Sequence, residues 1–386
     1  MRLLFWFSLA ATLYTYVGYP LFLFVLSGLL RKSDREESSG RAAYLPTVTL
    51  IISAYNEDKV IQDKLKNSLG LVYPKELLEI VVASDGSTDD TAAIVKSYAS
   101  QGIILRHFEG RIGKSACLNE TVKLAKGEII VFSDANSRYD ENALQKIVER
   151  FPDENIGFVT GHTKYLKSDQ GRMVEAVGLY SRIELFIKQH EGYFSSCVGA
   201  DGAIFAMRRI LFQPLHADDI NDLVAPLSVV RKGYRGVLET KAFCTEGLAE
   251  GYREEFQRQI RIASRTIRAI VKNSDLLNPF KFGIFAFQLL SHKVSKLLMP
   301  FFLACLFVSN AVLITSHVVY PLLFFGQIGF YLVGSKANPS RSGTGIEKIV
   351  SLIRAFVIYN TAILVGWLNY ARGKRYTTWT TVRQHS

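Results

Sequence analysis

From Leu3 to Leu30 the chain carries no charged side chain. As a helix, these 28 residues rise about 42 Å, more than the roughly 30 Å hydrocarbon core of a bilayer. A chain that begins this way must place its first segment in lipid. Aromatic residues recur at Trp6, Tyr14, Tyr16 and Tyr19, and the stretch stops at Arg31 and Lys32. A cleaved signal peptide would have a shorter apolar core and a small-residue cleavage site, so an uncleaved anchor is expected over residues 1–32.

A second apolar block follows Lys296 and runs to Val333, broken by Ser316, His317 and Pro321, which suits two short spans. A third candidate covers roughly 356–370. Arg31, Lys32, Lys293 and Lys296 flank the inner ends, which puts the middle of the chain in the cytoplasm by the positive-inside tendency. Within residues 297–371, three spans would leave the basic tail 372–386 outside and two would leave it inside. The charge rule prefers two, and the parity stays open. The balance of 48% hydrophobic with 21% charged residues fits such a mixture of membrane and aqueous parts. Lysine and arginine outnumber acids by 46 to 35, which favours anionic partners: nucleic acid, anionic lipid or phosphorylated substrates. The four cysteines, at 117, 197, 244 and 305, form no CxxC pair and read as packed thiols in a reducing compartment.

Residues 33–46 are polar and end in proline, as a linker does, and a domain is expected from 47 to 248. It opens with β-branched runs at 48–53, 79–84, 102–107 and 128–133, separated by helical stretches near 58–69, 89–99, 114–126 and 140–150. Strand and helix in alternation predict an α/β fold: a mostly parallel sheet with helices on both faces. Ligands of such sheets bind beyond the carboxyl ends of the strands. Those ends carry Ala54-Tyr55-Asn56-Glu57, Asp85-Gly86-Ser87-Thr88-Asp89-Asp90 and Asp134-Ala135-Asn136. Each could be an ordinary turn or helix cap, Thr88 and Asp89 in particular, but three acidic ends on one edge favour a site.

Gly110 to Ser115 (GRIGKS) is not a Walker phosphate loop, because the required first glycine would fall at Phe108. Lys114 opening a helix still offers N–H groups and a cation to a diphosphate. Gly199-Ala200-Asp201-Gly202 marks a close backbone approach to a ligand or a tight turn. Asp218, Asp219 and Asp222 place three carboxylates in five residues, crowding that can tune one of them into a base. From 249 to 273 the apolar positions Phe256, Ile260, Ile267 and Ile270 oppose Arg253, Arg258, Arg261, Arg265 and Arg268. That is a basic amphipathic helix, the start of an interfacial segment expected over 249–296, facing lipid headgroups or a diphosphate.

Taken in order, the segments IISAYNE, SDGSTDDT, GKSACLN, SDAN, GADGA and NDLVAPL resemble those of membrane-anchored glycosyltransferases of family 2, with the GT-A fold and similarity to the exopolysaccharide type. The resemblance spans residues 47–270 and implies a Rossmann-like, mixed but mostly parallel sheet flanked by transmembrane helices. It implies that Ala54, Glu57, Asp85, Lys114 and Asp134 bind a nucleotide-sugar, commonly a UDP-sugar, and that Gly199, Asp201 and Gly202 meet the donor or acceptor sugar. Asp134 matches the first acid of the family's DxD element, which holds Mg2+ or Mn2+, and Asn136 stands at the second. Asp222 falls at the general base, with Asn221 before it where a glutamate is frequent. Arg258 and Arg261 lie where processive members carry QxxRW, of which the Gln and Trp are absent, which argues against a polymerase with a conducting pore. Trp379 to Arg383 is similar to a tail motif that closes over the donor.

These features together lead to the expectation of an inverting glycosyltransferase, since a single base suits direct displacement. Its acceptor would be lipid-linked or a glycan, at the cytoplasmic face of a bacterial inner membrane, with synthase partner subunits possible. The alternative is a non-catalytic nucleotide-sugar-binding subunit or scaffold, which has no need of Asp222. A transporter is disfavoured by the lack of intramembrane acids. Nucleic-acid binding is disfavoured because the bases sit on one juxtamembrane helix without interleaved stacking aromatics.

Overall fold

The computed structural model describes residues 1–30, 44–166, 172–247, 252–336 and 345–378. They form two compact units. One comprises 30–166, 188–247 and 375–386, the other 1–29, 167–187 and 248–374.

The first unit is built on a sheet of eight strands in the order β3-β2-β1-β4-β7-β6-β8-β5. Strands β1 (Val48–Ala54), β2 (Leu78–Asp85), β3 (Ile103–Phe108) and β4 (Ile129–Asp134) are the four expected from sequence and pair in parallel. Every residue of β1 is buried, as required of a parallel strand covered on both faces. The crossovers are α3 (Asp58–Leu69), α4 (Thr91–Ser97) and α5 (Lys114–Leu124), while α6 (Ala143–Val148) follows β4 and the short β5 (Arg138–Tyr139). Beyond β4 the sheet becomes mixed: β7 (Ile204–Arg208) runs antiparallel to β4 and to β6 (Ile156–Tyr165), and β8 (Arg235–Glu246) runs parallel to β6. Parallel alignment of β1, β2 and β4 puts Ala54, Asp85 and Asp134 on one edge. Helix α8 (Asn221–Arg231) begins at the acidic cluster, with Asp222 in its first turn, and Ile220, not an aspartate, stands at its N-cap.

The second unit is helical. Helices α1 (Arg2–Leu13) and α2 (Tyr19–Leu30) continue into each other through one π turn. The first part of α7 (Arg172–Phe194) belongs here, so the domain expected over 47–248 is not one uninterrupted block. The reason is a half-buried charge: Glu184 of α7 is paired with Lys296 and, at 2.9 Å, with His292. Lys296 is thereby engaged in an ion pair rather than left to headgroups alone. The amphipathic helix is α9 (Tyr252–Lys272), followed by α10 (Pro279–Phe282), α11 (Ile284–Leu289), α12 (Ser295–Val312), α13 (Val319–Lys336) and α14 (Gly345–Ala371). The break between α12 and α13 falls at Ser316 and His317, as expected, and the third apolar candidate is longer than 356–370. Three stretches are long and apolar enough to cross a membrane, Arg2–Gly28, Ile284–Val312 and Gly345–Ala371, with a shorter one at Val319–Ser335. Arg31, Lys32, most of the linker, and Trp379 to Arg383 lie outside the described residues.

Candidate functional site

The strand-end loops are stitched to one another before any substrate is considered. Asn56, at φ +50°, donates its main-chain N–H to Ser87 Oγ at 3.1 Å, and its side-chain Oδ1 accepts from Thr88 N at 2.8 Å. The N–H of Glu57 donates to Thr91 Oγ1 at 2.8 Å, and Asp89 accepts from the N–H groups of both Asp58 and Thr91, each at 3.1 Å. The capping role considered for Asp89 is therefore real: it serves the starts of α3 and α4 together.

Asp85, at the end of β2, is fully buried. Its Oδ1 accepts from Gly113 N at 2.9 Å and Cys117 Sγ at 3.4 Å, whereas Oδ2 takes no hydrogen bond from the described residues. A buried carboxylate oxygen without a donor is costly, and a nucleobase N–H would satisfy it. Burial and the Asp85 carboxylate push the Cys117 thiol up, so it stays protonated and no nucleophile. The Arg111 guanidinium, on the loop that leads to Gly113, stacks 3.7 Å from the centre of the Tyr55 ring. Gly86, at φ +65°, admits the loop closely: a Cβ there would stand 2.3 Å from the Gly110 carbonyl oxygen.

Lys114, first residue of α5, reaches across to Asp134, with Nζ 2.5 Å from Oδ1. The Lys114 side chain is 18% and that of Asp134 36% exposed, so this pair faces the solvent-accessible edge. The turn after Asp134 is held from beneath by a residue that sequence reading missed. Lys64 of α3 is fully buried, donates to Ser137 O at 2.7 Å, and lies 4.0 Å from the centre of the Tyr139 ring. Asn67, one turn further, bonds both main-chain groups of Tyr139 at 2.8 Å. A lysine in an amphipathic helix reads as solvent-facing, and only the packing of α3 on the turn reveals otherwise.

Burial lowers the Lys64 ammonium from its ordinary 10.5 to about 7, against opposing charge from Cys244, Asp134 and Glu246. As pH rises through that window the folded chain releases this proton before the unfolded chain does. Its contribution to stability therefore grows from about pH 7 toward 10.5 and is least below 7. Lys64→Met is expected to flatten this part of the stability profile. It should also cost about 1–3 kcal/mol at neutral pH by leaving the Ser137 carbonyl unpaired. Thermal unfolding in detergent across pH measures both effects.

Helix α5 also anchors the acidic loop. Ser115 Oγ donates to Asp219 O at 2.9 Å, and the Asn119 amide bonds Leu215 N and O, each at 2.8 Å. Asp219 accepts from His216 N at 2.8 Å, which turns the loop tightly. The Asp201 carboxylate is taken up within its own fold segment by Thr163 N, Thr163 Oγ1 and Ala203 N at 2.9–3.1 Å. The glycines around it frame Asp222. The N–H of Ala200 donates to Asp222 O at 2.7 Å, and a Cβ at Gly202 would come within 2.9 Å of Asp222 Oδ2. Gly202→Ala is accordingly expected to displace that carboxylate and lower turnover at least tenfold while leaving donor affinity intact. Steady-state kinetics beside a donor titration would measure it, and unchanged turnover would separate Asp222 from the chemistry.

The tail joins the same unit. The Thr377 carbonyl oxygen would be 2.5 Å from a Cβ at Gly113, which has φ +92°, and Arg375 Nε lies 4.0 Å from Asp218 Oδ2. Arg375 was not anticipated as a site residue; the tail motif suggested by sequence begins four residues later. Arg258 and Arg261 belong to the helical unit, where Arg258 pairs with Glu255 of its own helix at 3.2 Å.

Among the described residues no three His, Cys, Asp or Glu side chains gather into a metal cage. Asp134, already paired with Lys114, and Asn136 lie two residues apart on the loop that follows β4. Such a sparse set fits Mg2+ or Mn2+ drawing its other ligands from a diphosphate and water, as these ions commonly do.

The model of glycosyl transferase family 2 matches residues 49–214. The chain carries a family 2 glycosyltransferase domain. The Nostoc sp. beta-monoglucosyldiacylglycerol synthase is 34% identical over 119 residues, 30% of this chain and 25% of the synthase. The Staphylococcus aureus poly-beta-1,6-N-acetyl-D-glucosamine synthase is 30% identical over 155 residues, 40% of this chain and 37% of the synthase. The matches thus span about a quarter to two fifths of these relatives. Among solved structures, a mannosyltransferase from Pyrobaculum calidifontis in complex with GDP-Man and Mn2+ superposes with a TM-score of 0.72 at 21% identity. It covers 96% of this chain and 100% of that one, which shows the GT-A fold for this chain. The family match ends at residue 214, eight residues before Asp222.

Proposed function

We propose that this glycosyltransferase moves a sugar from a nucleotide-diphosphate sugar, of the UDP type, to a lipid-linked or polysaccharide acceptor at the cytoplasmic face of the membrane, with inversion at the transferred carbon. The observation that carries the reading is the gathering around α5 of Asp85, held by Gly113 N, the Lys114–Asp134 ion pair, and the Asp222 loop, held by Ser115 and Asn119. Asp85 Oδ2, buried and without a donor, suits a nucleobase N–H. Lys114 suits the diphosphate, to which its ammonium can turn from Asp134. Asp134 and Asn136 would hold a divalent ion, which when bound neutralises charge on the departing diphosphate.

Asp222 then serves the acceptor. It takes the hydroxyl proton as that oxygen bonds to the anomeric carbon, and the bond from this carbon to the diphosphate oxygen breaks with its electron pair leaving on the nucleotide. One base and no second carboxylate acting as nucleophile suit a single displacement. Both acceptor classes are supported by relatives, one named for a glucosylated lipid and one for a polysaccharide.

The test is nucleoside diphosphate release by the detergent-purified chain from a panel of UDP- and GDP-sugars, with Mn2+ or a chelator, and with lipid and glycan acceptors supplied. Metal-dependent release from one donor is the expected result and names the sugar. Donor binding without turnover under every condition would replace the enzyme with a nucleotide-sugar-binding subunit, and no binding at all would remove the donor assignment.

A further inference from the structure

Length and composition make α14 a third crossing on the C-terminal side, but its contacts within the helical unit run the wrong way for one. Helices α12 and α13 form a hairpin in which Phe307 stacks on Phe324 at 5.0 Å and Gln327 donates to Leu303 O at 3.3 Å. This register sets residues 297–301 of α12 level with about 329–333 of α13. Helix α1 runs antiparallel beside the hairpin: Phe5 meets Tyr320 at 5.1 Å, Phe7 meets Phe302 at 6.1 Å, and Tyr14 bonds Ser291 at 2.7 Å. One end of the bundle is thus marked by Phe5 and Tyr320, the other by Tyr14, Ser291 and the start of α12.

Among the described contacts, helix α14 meets this bundle at the second end. Phe356 meets Phe330 at 5.5 Å and Tyr16 at 5.4 Å, and Val357 fills the space beside Gly334. Eleven residues on, Trp367 donates to Leu297 O at 2.9 Å and meets Phe301 at 5.8 Å. Eleven helical residues rise about 16 Å, so a helix parallel to the hairpin would have carried Trp367 to the level of residues near 310. Instead Phe356 and Trp367 sit at one level. The geometry points to an α14 that lies across the base of the hairpin, in the plane of the membrane.

Its two faces agree with this placement. Toward the protein it presents Ser351, Ala362, Gly366 and Asn369, all buried, with Gly366 allowing close approach to Ala263 and Ser264 of α9, while Asn360, also buried, falls on the other side. Away from the protein Ile346, Ile349, Leu352, Leu364 and Leu368 are exposed, on one side of the helix. That apolar face continues the lipid-facing surface of the hairpin, where Leu322, Leu332 and Val333 are exposed, so its occupant is the acyl layer of the same leaflet. Helices α12 and α13, at 18 residues and about 27 Å each, are the crossings, the second being one that length alone ranks lowest. Three crossings result, α1 continued by α2, then α12 and α13, and Arg375 and Thr377 pack within the sheet unit.

Single cysteines at exposed positions test this, read by a membrane-impermeant maleimide on sealed vesicles of each orientation: Ser100→Cys, His317→Cys, Gly345→Cys and Arg372→Cys. Native thiols are buried or half-buried, which keeps the background low. The expected result is labelling of positions 345, 372 and 100 from one face and 317 from the other. Labelling of 345 and 372 from opposite faces, or of 317 from the face that labels 100, would overturn the in-plane placement. Neither outcome depends on transferase activity.

Discussion

Asp222→Asn is expected to lower turnover by about 10²- to 10⁴-fold, the usual worth of one positioned general base, with donor affinity unchanged. The substitution is nearly isosteric, and the main-chain bond from Ala200 N to Asp222 O, at 2.7 Å, does not depend on the side chain. Asp222 sits in the first turn of α8 with its carboxylate against Gly202, so the amide can occupy the same place while lacking the capacity to take a proton. Single-turnover kinetics with donor saturating, beside calorimetric titration of the donor, separates the two quantities. A variant with native turnover would remove Asp222 from the chemistry, and a parallel loss of donor affinity would reassign it to donor binding.

The second large effect is at Asp134, and it should fall on binding. Asp134→Ala removes both the partner of Lys114 and the carboxylate offered to a divalent ion. Loss of charge-assisted contacts worth about 1.5–3 kcal/mol corresponds to donor affinity weaker by about 10- to 150-fold. Lys114→Met should weaken the donor to a similar degree without altering its dependence on Mn2+, whereas Asp134→Ala should reduce that dependence. Titration of a nucleoside diphosphate with and without Mn2+ reads both variants. Equal affinity in native and Asp134→Ala protein would place the diphosphate elsewhere.

Legibility varied with how local the determining interactions are. Strands β1, β2 and β4 were readable within one or two residues, because a parallel strand buried on both faces is a short apolar run whatever surrounds it, and the edge strand β3 was readable from its β-branched start at Ile103 and Ile104. The acidic strand ends were readable for the same reason, since each follows its strand directly. Asp89 illustrates the limit: its residue type allowed a cap or a ligand contact, and only the approach of α3 and α4 made it the acceptor for Asp58 and Thr91. Lys64 was not readable at all, since nothing in its neighbours signals that the turn after Asp134 will cover it. The division of the chain was also hidden, because the first part of α7 is drawn into the helical unit by Glu184 and its partners His292 and Lys296, over 100 residues away in sequence.

By itself the sequence determined what depends on composition within one segment: that α1, α12, α13 and α14 are apolar helices, that a parallel sheet lies between them, and which acids line its edge. Tertiary structure alone decided what depends on the direction of packing. Phe356 and Trp367 belong to a helix apolar enough to cross, and such a helix can instead lie along one leaflet where protein covers the face turned from the acyl chains. The choice rests on which level of the hairpin each ring meets, and that is a relation between segments which no segment carries alone.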